Sequence, residues 1–234
     1  MQIKRYKKDF AYSYALGASP TIELLENRPQ DCFRVICSPE YSDKNKLKNL
    51  CVNIALEENQ RLINILSPKE NCYVIGAFHK REYKLEQDKP HVVLDNPSDM
   101  GNLGTMMRSC AGFGVNNLAV INGADAYNPK AVRASMGAFF HVNLEYFASI
   151  HDYIKAHADT KMRELYAFML NAEYNLTEVA PSKIYSLIFG NEASGLDYNI
   201  YKDIASGVAI KHTSAIDSLS LPIAASIALF WFER

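Results

Sequence analysis

HVVLDNPSDMGNLGTMMRSCAGFG, residues 91–114, is the stretch that decides the fold. Its first five residues form an apolar strand-like run. Asn96, Pro97, Ser98 and Asp99 then break the pattern, and apolar residues at helical spacing resume from Leu103. A strand leading through a polar turn into a helix is half of a βαβ unit. The event recurs twice: YSLIF runs into GNEASGLD (Gly190–Asp197), and GVAI leads on to IDSLSLPIAASIAL (Ile216–Leu229). Ligands of open α/β sheets bind in the crevice at the carboxyl ends of strands. Three such exits within about 140 residues therefore point to one composite site.

Working outward, strands are predicted at His91–Asp95, Leu118–Ile121, Val142–Phe147, Leu165–Leu170, Tyr185–Phe189 and Gly207–Ile210. Helices are predicted at Leu103–Gly112, Pro129–Ala138, Ile150–Arg163, Tyr198–Ile204 and Leu219–Glu233. Strand and helix in alternation imply an α/β fold with a parallel sheet. Upstream, the polar segment Lys80–Pro90 reads as a linker. It separates a small α/β unit, residues 1–85, from a larger domain, residues 90–234. In the small unit CFRVICS (Cys32–Ser38) and CYVIGAF (Cys72–Phe78) read as buried strands. Residues 45–66 have helical spacing with a break near Val52, and Ser19 with Pro20 is expected to open a helix over 19–28.

The 234 residues are 48% hydrophobic and 22% charged, the balance of an ordinary globular protein, and the net charge of −1 gives no global bias towards nucleic acid. Any such interaction must use local basic clusters, such as Lys4, Arg5, Lys7 and Lys8, or Lys80, Arg81 and Lys84. No apolar run has the length of a membrane span, and MQIKRYKKDF has no apolar core behind it to make a secretory signal. Five cysteines without CxxC spacing read as reduced thiols of a cytoplasmic protein. The six histidines lack HxxxH spacing, so no metal is expected. Gly190 to Gly195 has P-loop glycine spacing, but Leu196 stands where the lysine belongs and Glu192 would repel phosphate. No G-x-S-x-G elbow occurs.

Taken in order, the three segments resemble the SpoU (TrmH-type) family of RNA 2′-O-ribose methyltransferases of the SPOUT superfamily. Asn102, Gly104 and Arg108 match its N-x-G-x-x-x-R. Gly190, Glu192, Gly195 and Leu196 match its G-x-E-x-x-G-L. Ser218 and Leu219 match the start of its third motif. The resemblance covers roughly residues 90–234 and departs at two places: Ser220 replaces the usual Asn, and Lys211 follows Ile210 where Pro is common. It implies a trefoil-knotted methyltransferase domain preceded by a small RNA substrate-binding domain. It implies S-adenosyl-L-methionine as cofactor, RNA (rRNA or tRNA) as substrate, and a homodimer. By the same resemblance Phe189, Gly190, Ile210, Leu219 and Ser220 line the cofactor pocket. Arg108 acts near the ribose hydroxyl, with orientation and charge stabilisation preferred over a base role because a guanidinium stays protonated. Asn102 and Glu192 hold the loops, with Ser218 beside them. Read without the family, Asn102 and Ser218 could be helix caps and Glu192 a helix-dipole charge. An RNA-binding homodimer that kept the fold and lost catalysis is the alternative, motivated by Ser220.

The last helix is apolar on nearly every side, which implies burial. Ile223, Ile227, Phe230 and Trp231 are expected to form an outward stripe for a second subunit. Leu221, Ala225, Ala228, Leu229 and Phe232 are expected to face the home sheet.

Overall fold

The computed structural model describes residues 3–67, 71–158 and 162–234. They divide into two compact units, Met1–Arg81 with Asp125–His141, and Glu82–Ala124 with Val142–Arg234.

The first unit is a four-stranded mixed sheet. Its elements are β1 (Tyr12–Leu16), α1 (Ala18–Asn27), β2 (Cys32–Cys37), α2 (Lys44–Leu50), β3 (Ala55–Glu58), α3 (Gln60–Leu66) and β4 (Val74–His79). The strand order is β1-β4-β2-β3, with only β2 and β3 parallel. Tyr14, Ile36, Ile63, Leu66 and Ile75 fill one face. Two local expectations change here. Helix α1 starts at Ala18 after Gly17 at φ 114°, so Ser19 is not its cap. Residues 45–66 are not one interrupted helix. Asp43 caps α2 through Lys46 N and Asn59 caps α3 through Leu62 N, and the residues between extend along β2 as β3. Helical periodicity around that short edge strand masked it.

The second unit contains β5 (His91–Asp95), α4 (Met100–Gly112) and β6 (Asn117–Ile121). After the excursion that carries α5 (Pro129–Ala134) come β7 (Asn143–Phe147), α6 (Ile150–His157), β8 (Glu164–Phe168), β9 (Tyr174–Asn175), β10 (Tyr185–Phe189), α7 (Tyr198–Tyr201), β11 (Ser206–Ala209) and α8 (Leu221–Phe232). All seven strands are parallel, in the order β7-β6-β5-β10-β8-β11-β9. The fold class is thus α/β with a parallel sheet, and the long strands are buried almost end to end and mostly apolar because both faces are covered.

Helix α5 belongs to the first unit, where it packs on β1 and the following residues place Phe139 and Phe140 against Phe78. A linear boundary in the Lys80–Pro90 linker cannot capture this return of the chain. Helix α5 is shorter than the expected Pro129–Ala138 because Met136 and Gly137 both turn to positive φ. Helix α6 stops at His157; the expected extension to Arg163 runs across residues 159–161, outside the described residues.

At the amino ends of the central strands lies a buried polar cluster. Arg163 donates to the carbonyls of Gln87, Lys89, His157 and Tyr185. His91 Nε2 lies 2.8 Å from Glu86 O and must donate to it, so Nδ1 accepts from Tyr153 OH, also at 2.8 Å. Tyr153 then accepts from Ser186 at 2.6 Å. This clasp holds the 82–90 segment on the end of the sheet remote from the three strand exits. Burial, with the Arg163 charge adding to it, depresses the His91 pKa to about 3, so the ring is neutral.

Candidate active site

Strand β10 sits between β5 and β8, and β5, β6 and β7 run on in the opposite lateral direction. The chain's progress across the sheet therefore reverses beside β5, where a doubly wound sheet opens its crevice. The first two signature loops leave adjacent strands, β5 and β10, at this point.

Glu192 joins them. Its Oε2 accepts from Ser98 N at 3.0 Å and Ser98 Oγ at 2.8 Å; its Oε1 accepts from Asp99 N and from Asn102 Nδ2, each at 3.2 Å. Partial burial opposes the charge, but the Ser98 amide and hydroxyl and the Asn102 amide outweigh it and hold the carboxyl at about 2. The carboxylate also sits at the amino end of α4, where the helix dipole favours it. So engaged, Glu192 is a fixed anion and not a general base. Asn102 is no cap: Asp99 caps α4 by accepting from Asn102 N at 2.7 Å, which leaves the Asn102 amide to Glu192.

Two further ties connect the same loops. Asn191 Nδ2 donates to Asn96 O at 2.9 Å, while its Oδ1 accepts from Ala193 N and Ser194 N. Tyr201 OH donates to Asp95 Oδ2 at 2.6 Å; burial, then the Asp95 carboxylate, push its pKa well up. Sequence reading missed Ser98, Asn191 and the Asp95–Tyr201 pair. Asn191 stands inside the G-x-E motif at a position it treats as free, so position alone carried a signal.

Gly190 has a structural reason to be glycine. A Cβ there would lie 2.2 Å from Gly195 C and 2.3 Å from Gly195 O. The loop closes on itself at this point through a bridge between Asn191 and Gly195. Gly195 supplies the turn at φ 67°. Phe189, just before it, is buried and stacked on Phe168 at 4.5 Å.

Arg108 lies six residues beyond Asn102, about 9 Å along α4. It is exposed and has no hydrogen bond or ion pair among the described residues. Helix α4 packs on α8, where Ser109 Oγ, the residue after Arg108, lies 2.8 Å from Ser226 Oγ. The third loop is less engaged. Ile210 and Leu219 are half-buried, and Ser218 is exposed without a hydrogen bond to Asn102, Glu192 or Arg108. Ser220, not Ser218, opens α8: its carbonyl accepts from Ile223 N and Ala224 N, and its hydroxyl caps nothing. Cys110, inside α4, is fully buried, and burial raises its thiol to about 12, so it is no nucleophile.

On α8, Ile223, Ile227 and Phe230 are exposed at 53%, 38% and 64%. Trp231 is not part of this stripe. Its Nε1 donates to Val179 O at 3.0 Å and the Arg234 guanidinium lies over its ring. Leu221, Ala225, Ala228, Leu229 and Phe232 are buried as expected. Among the described residues no helix is long and apolar enough to cross a membrane.

Comparison with known proteins gives the family and the fold. Residues 89–230 match the model of the SpoU rRNA Methylase family. The 23S rRNA (guanosine(2553)-2′-O)-methyltransferase RlmP of Bacillus subtilis is 28% identical over 160 residues, 67% of this chain and 63% of the relative. The mitochondrial rRNA methyltransferase 3 of Mus musculus is 34% identical over 109 residues, 42% of this chain and 25% of the relative. The chain thus spans less than two thirds of the length of these relatives. Two crystal structures share the fold at a TM-score of 0.82 over 96% of this chain. They are the SpoU methyltransferase AviRb of Streptomyces viridochromogenes (21% identity, 89% of that chain) and an AdoMet-bound rRNA methyltransferase of Sinorhizobium meliloti (24%, 87%). With the family model spanning the sheet, all three signature loops and most of the last helix, this chain belongs to the SpoU rRNA methylase family.

Proposed function

We propose that this chain transfers a methyl group from S-adenosyl-L-methionine to a ribose 2′-hydroxyl of RNA, with ribosomal RNA the favoured substrate and tRNA the other. The observation that carries the reading is the Glu192 junction, which binds the first two signature loops into one crevice wall at the reversal of the sheet. The names of the relatives, two of them 23S rRNA 2′-O-methyltransferases, favour the substrate.

The residues present fit the cofactor. Phe189, Gly190, Ile210, Leu219 and Ser220 stand at the exits of β10 and β11 and the start of α8, where bare backbone and half-buried aliphatic groups can hold an adenosine. When bound, the sulfonium supplies the methyl group and leaves as a neutral thioether. Everything else is positioning. A ribose hydroxyl is a weak nucleophile, so it must be aligned and must lose its proton as the O–C bond forms. Arg108, exposed and uncommitted, would hold the 2′-oxygen or its neighbouring phosphate and stabilise the developing negative charge. Asn102 and Glu192 would keep α4, and so Arg108, in register with the cofactor loops; Ser218 would complete the rim from the third loop.

The same reading includes a trefoil knot near the C-terminus, an RNA-binding role for the first unit, a cytoplasmic location, and a homodimer through Ile223, Ile227 and Phe230 of α8. An apolar stripe of that exposure supports the dimer. The silent-dimer alternative rests on Ser220, which takes no part in the Glu192 junction.

The test is transfer of labelled methyl from the cofactor to rRNA and tRNA isolated from a strain lacking this gene. The product should resist alkaline cleavage at a single 2′-O-methylated position. No label in either RNA, with S-adenosylhomocysteine still bound in calorimetry, would refute the catalytic reading.

A further inference from the structure

Among the described residues, five other than glycine hold a positive φ, and four of them are asparagines: Asn53, Asn71, Asn96 and Asn122. Asparagine tolerates this region because its short amide bonds locally. The fifth is Met136 at φ 52°, followed by Gly137 at φ 99°. Methionine has no such compensation. Strain of this kind persists only where the surroundings impose it, and it gathers at functional sites.

The surroundings do impose it. Ser135 is buried; its Oγ donates to Val132 O at 2.6 Å and accepts from Phe139 N at 3.2 Å. A Cβ on Gly137 would fall 2.4 Å from Glu23 Cγ, so the turn is pressed onto Glu23. The Glu23 carboxylate is itself held by His141 Nε2 at 2.7 Å and Asn27 Nδ2 at 3.0 Å. The turn's product is an exposed thioether arm: Met136 is 54% accessible. Three residues earlier Arg133 has a buried Nη1 without a hydrogen-bond partner, and Lys130, one turn before that, is exposed. No acidic residue occurs between Asn128 and Gly137.

We propose that the Lys130–Met136 turn of the first unit is an RNA contact: Met136 packs on the face of an unpaired base, and Arg133 and Lys130 take the adjacent phosphates. A soft, unbranched side chain suits a flat apolar base face, and cations positioned beside it supply the backbone contact. The inference rests on the RNA reading above but not on catalysis.

Met136→Asn separates use from structure, because asparagine relieves the backbone strain while removing the arm. In the full-length protein the urea midpoint should rise, S-adenosylhomocysteine affinity should stay unchanged, and the Kd for a 23S rRNA transcript should increase about tenfold. Met136→Leu keeps an apolar arm and should retain most of the RNA affinity. An unchanged Kd for Met136→Asn overturns the proposal. So does weaker RNA binding accompanied by a lower urea midpoint, since that marks a merely structural residue. Methyl transfer measured alongside keeps the readings apart: a parent protein that binds the transcript without methylating it refutes the catalytic reading and leaves this contact standing.

Discussion

Replacing Gly190 with Ala tests whether the second signature loop depends on backbone contact at that point. The added carbon would meet three backbone atoms, Gly195 C at 2.2 Å, Gly195 O at 2.3 Å and Leu196 N at 2.5 Å. No rotamer relieves a clash with backbone, and carbon atoms settle at about 3.5–4.0 Å. The two limbs of the loop must therefore part by more than about 1 Å. That movement stretches the 2.9 Å bond from Gly195 N to Asn191 O beyond hydrogen-bonding range. It also drags Glu192, two residues on, from its four donors. With each net hydrogen bond contributing about 1 kcal/mol, and more to a carboxylate, the loss should be about 3 kcal/mol. Gly195→Ala is the control. Its Cβ meets nothing within 4 Å, so only the positive φ of 67° counts against it, about 1 kcal/mol. Urea titration should rank parent, Gly195→Ala and Gly190→Ala in falling order, and calorimetry should show S-adenosylhomocysteine binding lost only in the last. Equal midpoints for the two variants, or undiminished cofactor binding by Gly190→Ala, would refute the reasoning.

Other consequences follow from the same geometry. Arg108→Ala should lower methyl transfer by about a hundredfold or more, as expected for loss of a charge-stabilising donor, while cofactor affinity and urea midpoint stay put; an intact rate would remove Arg108 from the mechanism. Ile227→Asp places a charge in the exposed α8 stripe and should give monomers by sedimentation, with weakened cofactor binding because α8 begins directly after the third loop; a parent protein that is already monomeric at micromolar concentration would sink the interface. His91 is depressed from 6.5 to about 3, so the unfolded chain binds its proton first as pH falls. The stability due to neutral His91 is complete above pH 6.5 and declines below it, by about 2 kcal/mol between pH 6.5 and 5. Urea midpoints should fall over that range, less steeply in His91→Gln, and parallel slopes for the two proteins would contradict the assignment.

The sequence by itself determined most local elements of the second unit and the chemical inventory. Apolar runs such as HVVLD and YSLIF specify buried strands, and Pro129 marks the first turn of α5. Such signals act within a few residues, so they survive without knowledge of the fold. The residue types of the site were legible for the same reason, in three short segments.

Pairing was not. Asn102 and Glu192 lie 90 positions apart and meet because β10 inserts beside β5. Strand order depends on how crossover helices bury their faces, which no local period reports. The assignment of α5 to the first unit, the pairing of β3 along β2 and the withdrawal of Trp231 towards Val179 arise in the same way. Each is settled by what a distant segment offers: an apolar face, an unpaired strand edge or an open carbonyl. The sequence supplied the carboxylate and the amide, and only the packing of the sheet turned them towards each other.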